Sequence, residues 1–148
     1  MANPTFYNSF AEFVADGTID LDTDTFGMML LTNAHVVDPD DDFRNDVETE
    51  ELPATGNYAT GGVTLTGVTW TRITGAGGGA RFTFATPTWP NLTASNIRFA
   101  VLYKRRGGAS SADEVCAVWD LGQNFSPAGV EFKLLVPATG AFTLRGAA

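Results

Sequence analysis

Histidine and cysteine are almost missing from this chain: His35 and Cys116 are the only residues of their kinds. A lone cysteine excludes an internal disulfide framework. One His and one Cys cannot supply the four ligands of a closed structural zinc site. They would make a nucleophile and base only if the fold brought them together beside an oxyanion site. Cys116 lies in Glu114-Val115-Cys116-Ala117-Val118-Trp119 and reads as a small buried hydrophobe of a strand, while His35 reads as a loop residue. No catalytic residue, cofactor or metal is assigned on this reading, and the chain is expected not to be an enzyme. Long apolar runs are also lacking, since none approaches the roughly eighteen residues that cross a bilayer, so no membrane partner is expected. Met1-Ala2-Asn3-Pro4 has no basic region followed by an apolar stretch, and no signal peptide is expected. Asn91-Leu92-Thr93 and Asn124-Phe125-Ser126 are accordingly read as chance matches to glycosylation acceptors. Synthesis and assembly in a reducing cytoplasm follow as the expectation.

Bases are scarce at one end. Residues 1–51 hold thirteen acidic residues against Arg44, while residues 52–148 hold four acidic and eight basic ones, within a net charge of −8. A nucleic-acid binder needs a basic stripe interleaved with exposed aromatics. The only basic cluster here is Lys104-Arg105-Arg106, read as a hairpin tip or a salt-bridging contact rather than a phosphate site, so no nucleic-acid partner is expected.

Apolar residues make up 44% and charged residues 18% of 148 residues, which places the chain among globular proteins with a core of their own. Eleven Phe and sixteen Gly, aromatics among turn-formers, point to a β-sandwich or barrel. Asn3 as a cap, Pro4 in the first turn, and the spacing of Phe6, Phe10, Phe13 and Val14 predict a short amphipathic helix ended by Asp16-Gly17. Its phenylalanine stripe must be buried, against the domain's own sheet or against a neighbouring subunit. Thr18 to Asp24 alternates as a strand does. Phe26 to Thr32 reads as a buried strand, and the acidic stretch Asp38 to Glu51 as a long surface loop with a helical turn around Phe43 to Val47. Val63 to Ile73 and Arg81 to Ala85 should form a hairpin across Gly75 to Gly79. Ile97 to Tyr103, Glu114 to Leu121, Val130 to Val136 and Ala141 to Leu144 supply further strands. The sum is an all-β fold: a single β-sandwich or jelly roll of seven to eight antiparallel strands with a short N-terminal helix. Residues 1–17 are read as a helix or arm, and 18–148 as the sandwich domain.

Asp20-x-Asp22-x-Asp24 and Asp38-x-Asp40-x-Asp42 resemble the start of a calcium loop. The required Gly at position six and Glu at position twelve are replaced by Thr25 and Leu31, and by Phe43 and Thr49. Gly75 to Gly79 has no following Lys-Ser or Lys-Thr, and it reads as a hairpin loop rather than a phosphate cradle. The eight acids between Asp38 and Glu51 suggest a solvated, self-repelling segment rather than a pair of catalytic carboxyls. Trp70 and Trp119 fall within strands, whereas Trp89, between Pro87 and Pro90, is the best candidate for an exposed aromatic.

The order of these features resembles a family of small virion structural proteins of tailed bacteriophages. The shared pattern is the aromatic helix Phe6 to Val14, then Ile19-Asp20-Leu21-Asp22-Thr23-Asp24-Thr25 and a strand ending Leu30-Leu31-Thr32. An acidic loop with Phe43 and Asp46-Val47 follows, then Tyr58-Ala59-Thr60-Gly61-Gly62, the Trp89 segment and Ala100-Val101-Leu102-Tyr103-Lys104. The resemblance covers most of the chain, apart from Gly77-Gly78-Gly79 and the part after Val136. It implies a capsid cement or decoration protein that binds the outside of the head shell. The partners implied are the major capsid protein and further copies of the chain, and the location is the virion, assembled in the host cytoplasm. A tail, neck or fibre component is the alternative, and a carbohydrate-binding module a further one. Partner contacts are expected from Phe6, Phe10, Phe13, Phe43, Asp40, Asp41, Asp42, Trp89, Arg105 and Arg106, with aromatics as anchors and charge setting register.

Overall fold

Strand β2 (Phe26–Thr32) is buried at six successive positions, which a strand sustains only when both of its faces are covered. Two cores cover it. Phe26, Met28 and Leu30 enter a large one, and Met29 and Leu31 a smaller one on the opposite face. This is a computed structural model, and it describes residues 1–145.

Ten strands and two short α-helices make up the described residues. β1 (Thr5–Phe6), β2, β3 (Val63–Thr64), β7 (Ile97–Lys104) and β8 (Val115–Phe125) form a five-stranded antiparallel sheet in the order β1-β8-β7-β2-β3. β4 (Thr69–Ile73), β5 (Gly79–Thr83) and β10 (Phe142–Arg145) form a second sheet, and β6 (Thr88–Thr93) and β9 (Ala128–Lys133) pair as a third. The smaller sheets close over the large core from the other side. Phe82 of β5 meets Phe26 edge-on at 5.3 Å, and Trp89 and Leu92 of β6 join the same cluster. The result is the all-β sandwich expected from the sequence, with more strands because β1 and β6 lie outside the expected set and the run Val63 to Ile73 divides into β3 and β4, while Thr18 to Asp24 forms none.

The acidic stretch is itself a covering layer. Helix α2 (Arg44–Val47) and the 3₁₀ turn Glu48–Glu50 follow the bridge between Phe43 and Glu114, and Val47 is fully buried with Val101, Tyr103, Val115 and Val118. The carboxylates of Asp38, Asp40 and Asp42 belong to exposed residues, while Val47 of the same stretch enters the second core.

Helix α1 spans Asn8–Ala15, not the expected start near Pro4, because Thr5 and Phe6 pair with Val118 and Ala117 of β8 before the helix begins. Gly17 at φ +83° ends it in the left-handed conformation that suits glycine, while the Asp16 amide donates to Glu12 O. The helix packs on its own domain: Phe10 lies in the large core, Tyr7 in the small one, and the Asn8 amide donates to Pro39 O. Thr18 to Asp24 is not a strand. Asp20 accepts the amides of Asp22 and Thr23, Asp24 accepts that of Asp20, and these side-chain bonds hold a turn that still buries Ile19 and Leu21.

Candidate functional site

The residues expected to bind a partner divide between the core and the surface. Phe6 and Phe10 stack at 5.3 Å, and Phe142 meets both edge-on. Phe10 is 4% exposed and Phe6 packs against the large core, so of the two alternatives for the stripe it is the chain's own domain that covers them, and they do not stand free as anchors. Phe13 and Phe43 are half-buried against each other, with ring centroids 6.1 Å apart. Trp89 is 2% exposed rather than displayed between its prolines. It sits opposite Phe132 in the β6–β9 pair, which turns its indole inward. Trp119 is also buried and Trp70 half-buried, so the large aromatic faces that would stack on a sugar are packed on protein.

The charged candidates divide. Asp40 and Asp42 are exposed, and Asp40 accepts a hydrogen bond from Asn8 Nδ2 at 2.6 Å. Asp41 is half-buried between them. Desolvation, and then the charges of Asp38, Asp46, Asp42 and Asp40, push its carboxyl up to about 6. The basic cluster is a set of salt-bridging contacts. Lys104 Nζ lies 2.8 Å from Asp24 Oδ2, and Arg106 grips Glu114 through Nε at 3.0 Å and a terminal nitrogen at 2.6 Å. Arg105 reaches only neutral oxygens, those of Gly61 and of the Tyr103 hydroxyl.

Cys116 and His35 do not meet. Cys116 belongs to the large core, where burial pushes its thiol well up. His35 stands edge-on to Phe99, which packs at the small core, and burial pulls its imidazole down.

One apolar groove lies on a surface that the sequence did not single out. In β8, Asp120 stands opposite Phe99 and Phe125 opposite Ile97, so the residues between them bulge from the sheet. That bulge, the N-terminus and β9 frame a groove of about 270 Å³ lined by Met1, Leu121, Phe125, Phe132 and Leu135. Leu135 is 64% exposed beside it, and Val130 of β9 is 54% exposed. Among the described residues, β9 pairs only with β6, so its other edge carries no strand partner. The one available signal was the doublet Leu134-Leu135 after the alternation from Val130. Two adjacent apolar residues of an extended segment point in opposite directions, and Leu134 takes the inner side.

No family model, curated protein or solved structure matches the chain.

Proposed function

We propose that this chain is a virion structural protein of a tailed bacteriophage, a capsid cement or decoration protein that docks on the outer surface of the head shell. The observation that carries the docking chemistry is the apolar groove at the β8 bulge, with Leu135 and Val130 exposed beside the open edge of β9. Exposed large aliphatic residues around a groove favour burial against a partner, and an open strand edge offers backbone donors and acceptors for one more strand. The virion setting comes from the resemblance in the order of sequence features. The partners in this reading are the major capsid protein and neighbouring copies of the chain.

The exposed carboxylates of Asp38, Asp40 and Asp42 supply a negative rim that favours a basic patch on the partner and speeds encounter. The carbohydrate-binding reading loses its motive, because Trp89 is enclosed. Electron microscopy of purified virions of the phage that encodes the chain tests the proposal. Sandwich-shaped density on the outside of the head supports it. Density on the tail, neck or fibres moves the chain to the alternative, and absence from mature particles ends the virion reading.

A further inference from the structure

We infer that the chain carries an oxyanion-binding pocket between Arg44, Arg105 and the Gly61 turn, distinct from the apolar groove. Three segments far apart in sequence meet there. Strand β7 brings Tyr103, whose ring lies across Gly27 of the paired strand β2; a Cβ on Gly27 would fall 2.6 Å from Cζ of that ring. The Tyr103 hydroxyl donates to Gly61 O at 2.7 Å, which ties the Tyr58–Gly62 turn to the sheet. Gly61, at φ +84°, lies between the two arginines: a point one bond from its Cα is 2.9 Å from the Tyr103 hydroxyl oxygen and 3.7 Å from Nη1 of both Arg44 and Arg105. Two guanidinium groups therefore converge around the Tyr103 hydroxyl at this turn. Gly107 and Gly108 complete the wall of a cavity of about 200 Å³. A single water needs only about 10–15 Å³ of such space.

Two guanidinium groups at this cavity have incomplete partners, while the Glu51 carboxylate beside the same turn is already engaged by the Gly61 amide and the Tyr58 hydroxyl. Arg44 is 9% exposed and its Nε donates to Asp113 Oδ2 at 2.9 Å. Its Nη1 is buried without a hydrogen-bond partner, the Glu48 carboxylate lying 3.8 Å away. Asp113 also lines the cavity, but both of its oxygens are engaged, Oδ2 by Arg44 and Oδ1 by the Arg106 amide. Arg105 has no carboxylate within 4 Å among the described residues; its Nη1 donates to Gly61 O at 3.4 Å and to the Tyr103 hydroxyl at 3.2 Å. A buried donor without a partner costs free energy, and a guanidinium is matched in shape by an oxyanion held through two parallel N–H donors. The ligand class is thus a small oxyanion, a phosphate or a carboxylate, bridging Arg44 and Arg105.

The test is titration of the ¹⁵N-labelled full chain with sodium phosphate, and separately with sodium acetate, each against sodium chloride at equal ionic strength. The amides of Gly61, Gly107 and Gly108 should move saturably with at least one of the two anions beyond the chloride control. Movement with phosphate alone names a tetrahedral ligand, and equal movement with acetate names a carboxylate. Arg105→Gln should weaken the binding about tenfold, in line with loss of one charged hydrogen bond, whereas Arg106→Gln, outside the cavity, should leave it within about twofold. Thr60→Glu, which places a carboxylate at the exposed rim, should block it through a second route. Shifts no larger than those with chloride for both anions, or unchanged affinity in both Arg105→Gln and Thr60→Glu, would overturn the assignment.

Discussion

Phe6 and Phe10 lie with their ring planes 8° from parallel, and the edge of Phe142 closes on both. The first strand, the first helix and the last described strand thus share one aromatic cluster, and through Phe82 that cluster reaches Phe26 at the centre of the sandwich.

The N-terminal segment is therefore expected to be part of the folding unit. Phe10→Ala should lower stability by about 3–5 kcal/mol in urea unfolding, as for other buried phenylalanines. Deleting residues 1–16 should abolish the cooperative transition. A deletion variant that still unfolds cooperatively, near the parent's midpoint, would make the segment a detachable arm.

Asp113 holds Arg44 with one oxygen and the Arg106 amide with the other, and is 2% exposed. Asp113→Ala should cost about 3–5 kcal/mol, because it strands a buried guanidinium. Glu131→Ala, which removes the exposed pair with Lys133, should stay within about 0.5 kcal/mol. Equal effects of the two substitutions would contradict the assigned burial.

Much of this was written plainly in the chain. Strands β7 and β8 follow from alternation, and the hairpin of β4 and β5 from its glycines, although of the run Val63 to Ile73 only Thr69–Ile73 joins that hairpin and Val63–Thr64 pairs with β2. Where the structure differs, one of two causes acts: a side chain captures nearby amides, or a contact far away in sequence overrides the local pattern. Asp20 and Asp24 alternate like strand residues, yet their carboxylates capture nearby amides and hold a turn. Asp38 to Glu51 looks solvated by composition, but Val47 is buried in the second core and Phe43 packs on Phe13. Trp89 is flanked by residues that suggest a loop, and only its pairing with β9 buries it. The Arg44 and Arg105 pocket was invisible for the same reason, since it needs the Gly61 turn to meet two other segments.

Acid should act on Asp41 in a defined direction. Its folded-state carboxyl, raised to about 6, binds a proton more tightly than in the unfolded chain. Its contribution to stability therefore grows as pH falls from about 6 to about 4. His35, pulled down by burial, acts oppositely below about 6.5. Comparison with Asp41→Asn separates the two: the variant should be more stable than the parent at pH 7, with the gap closing towards pH 4. A stability difference that does not change across that range would remove the repulsion assigned to Asp41.

Trp89→Ala should behave as a core truncation, losing about 3–5 kcal/mol in thermal or urea unfolding. A loss within about 0.5 kcal/mol, joined by loss of glycan binding in the isolated protein, would return Trp89 to the surface and restore the carbohydrate reading.

The proposed docking through the groove is most directly tested as attachment of the purified chain to head shells that lack it, comparing the parent with Leu135→Asp. Leu135 is largely exposed, so the substitution should leave stability within about 0.5 kcal/mol. Occupancy of the shells should nevertheless fall at least tenfold, as for loss of a buried anchor worth about 1.4 kcal/mol or more. A folded Leu135→Asp variant that fills the shells as well as the parent would contradict the groove as the docking surface.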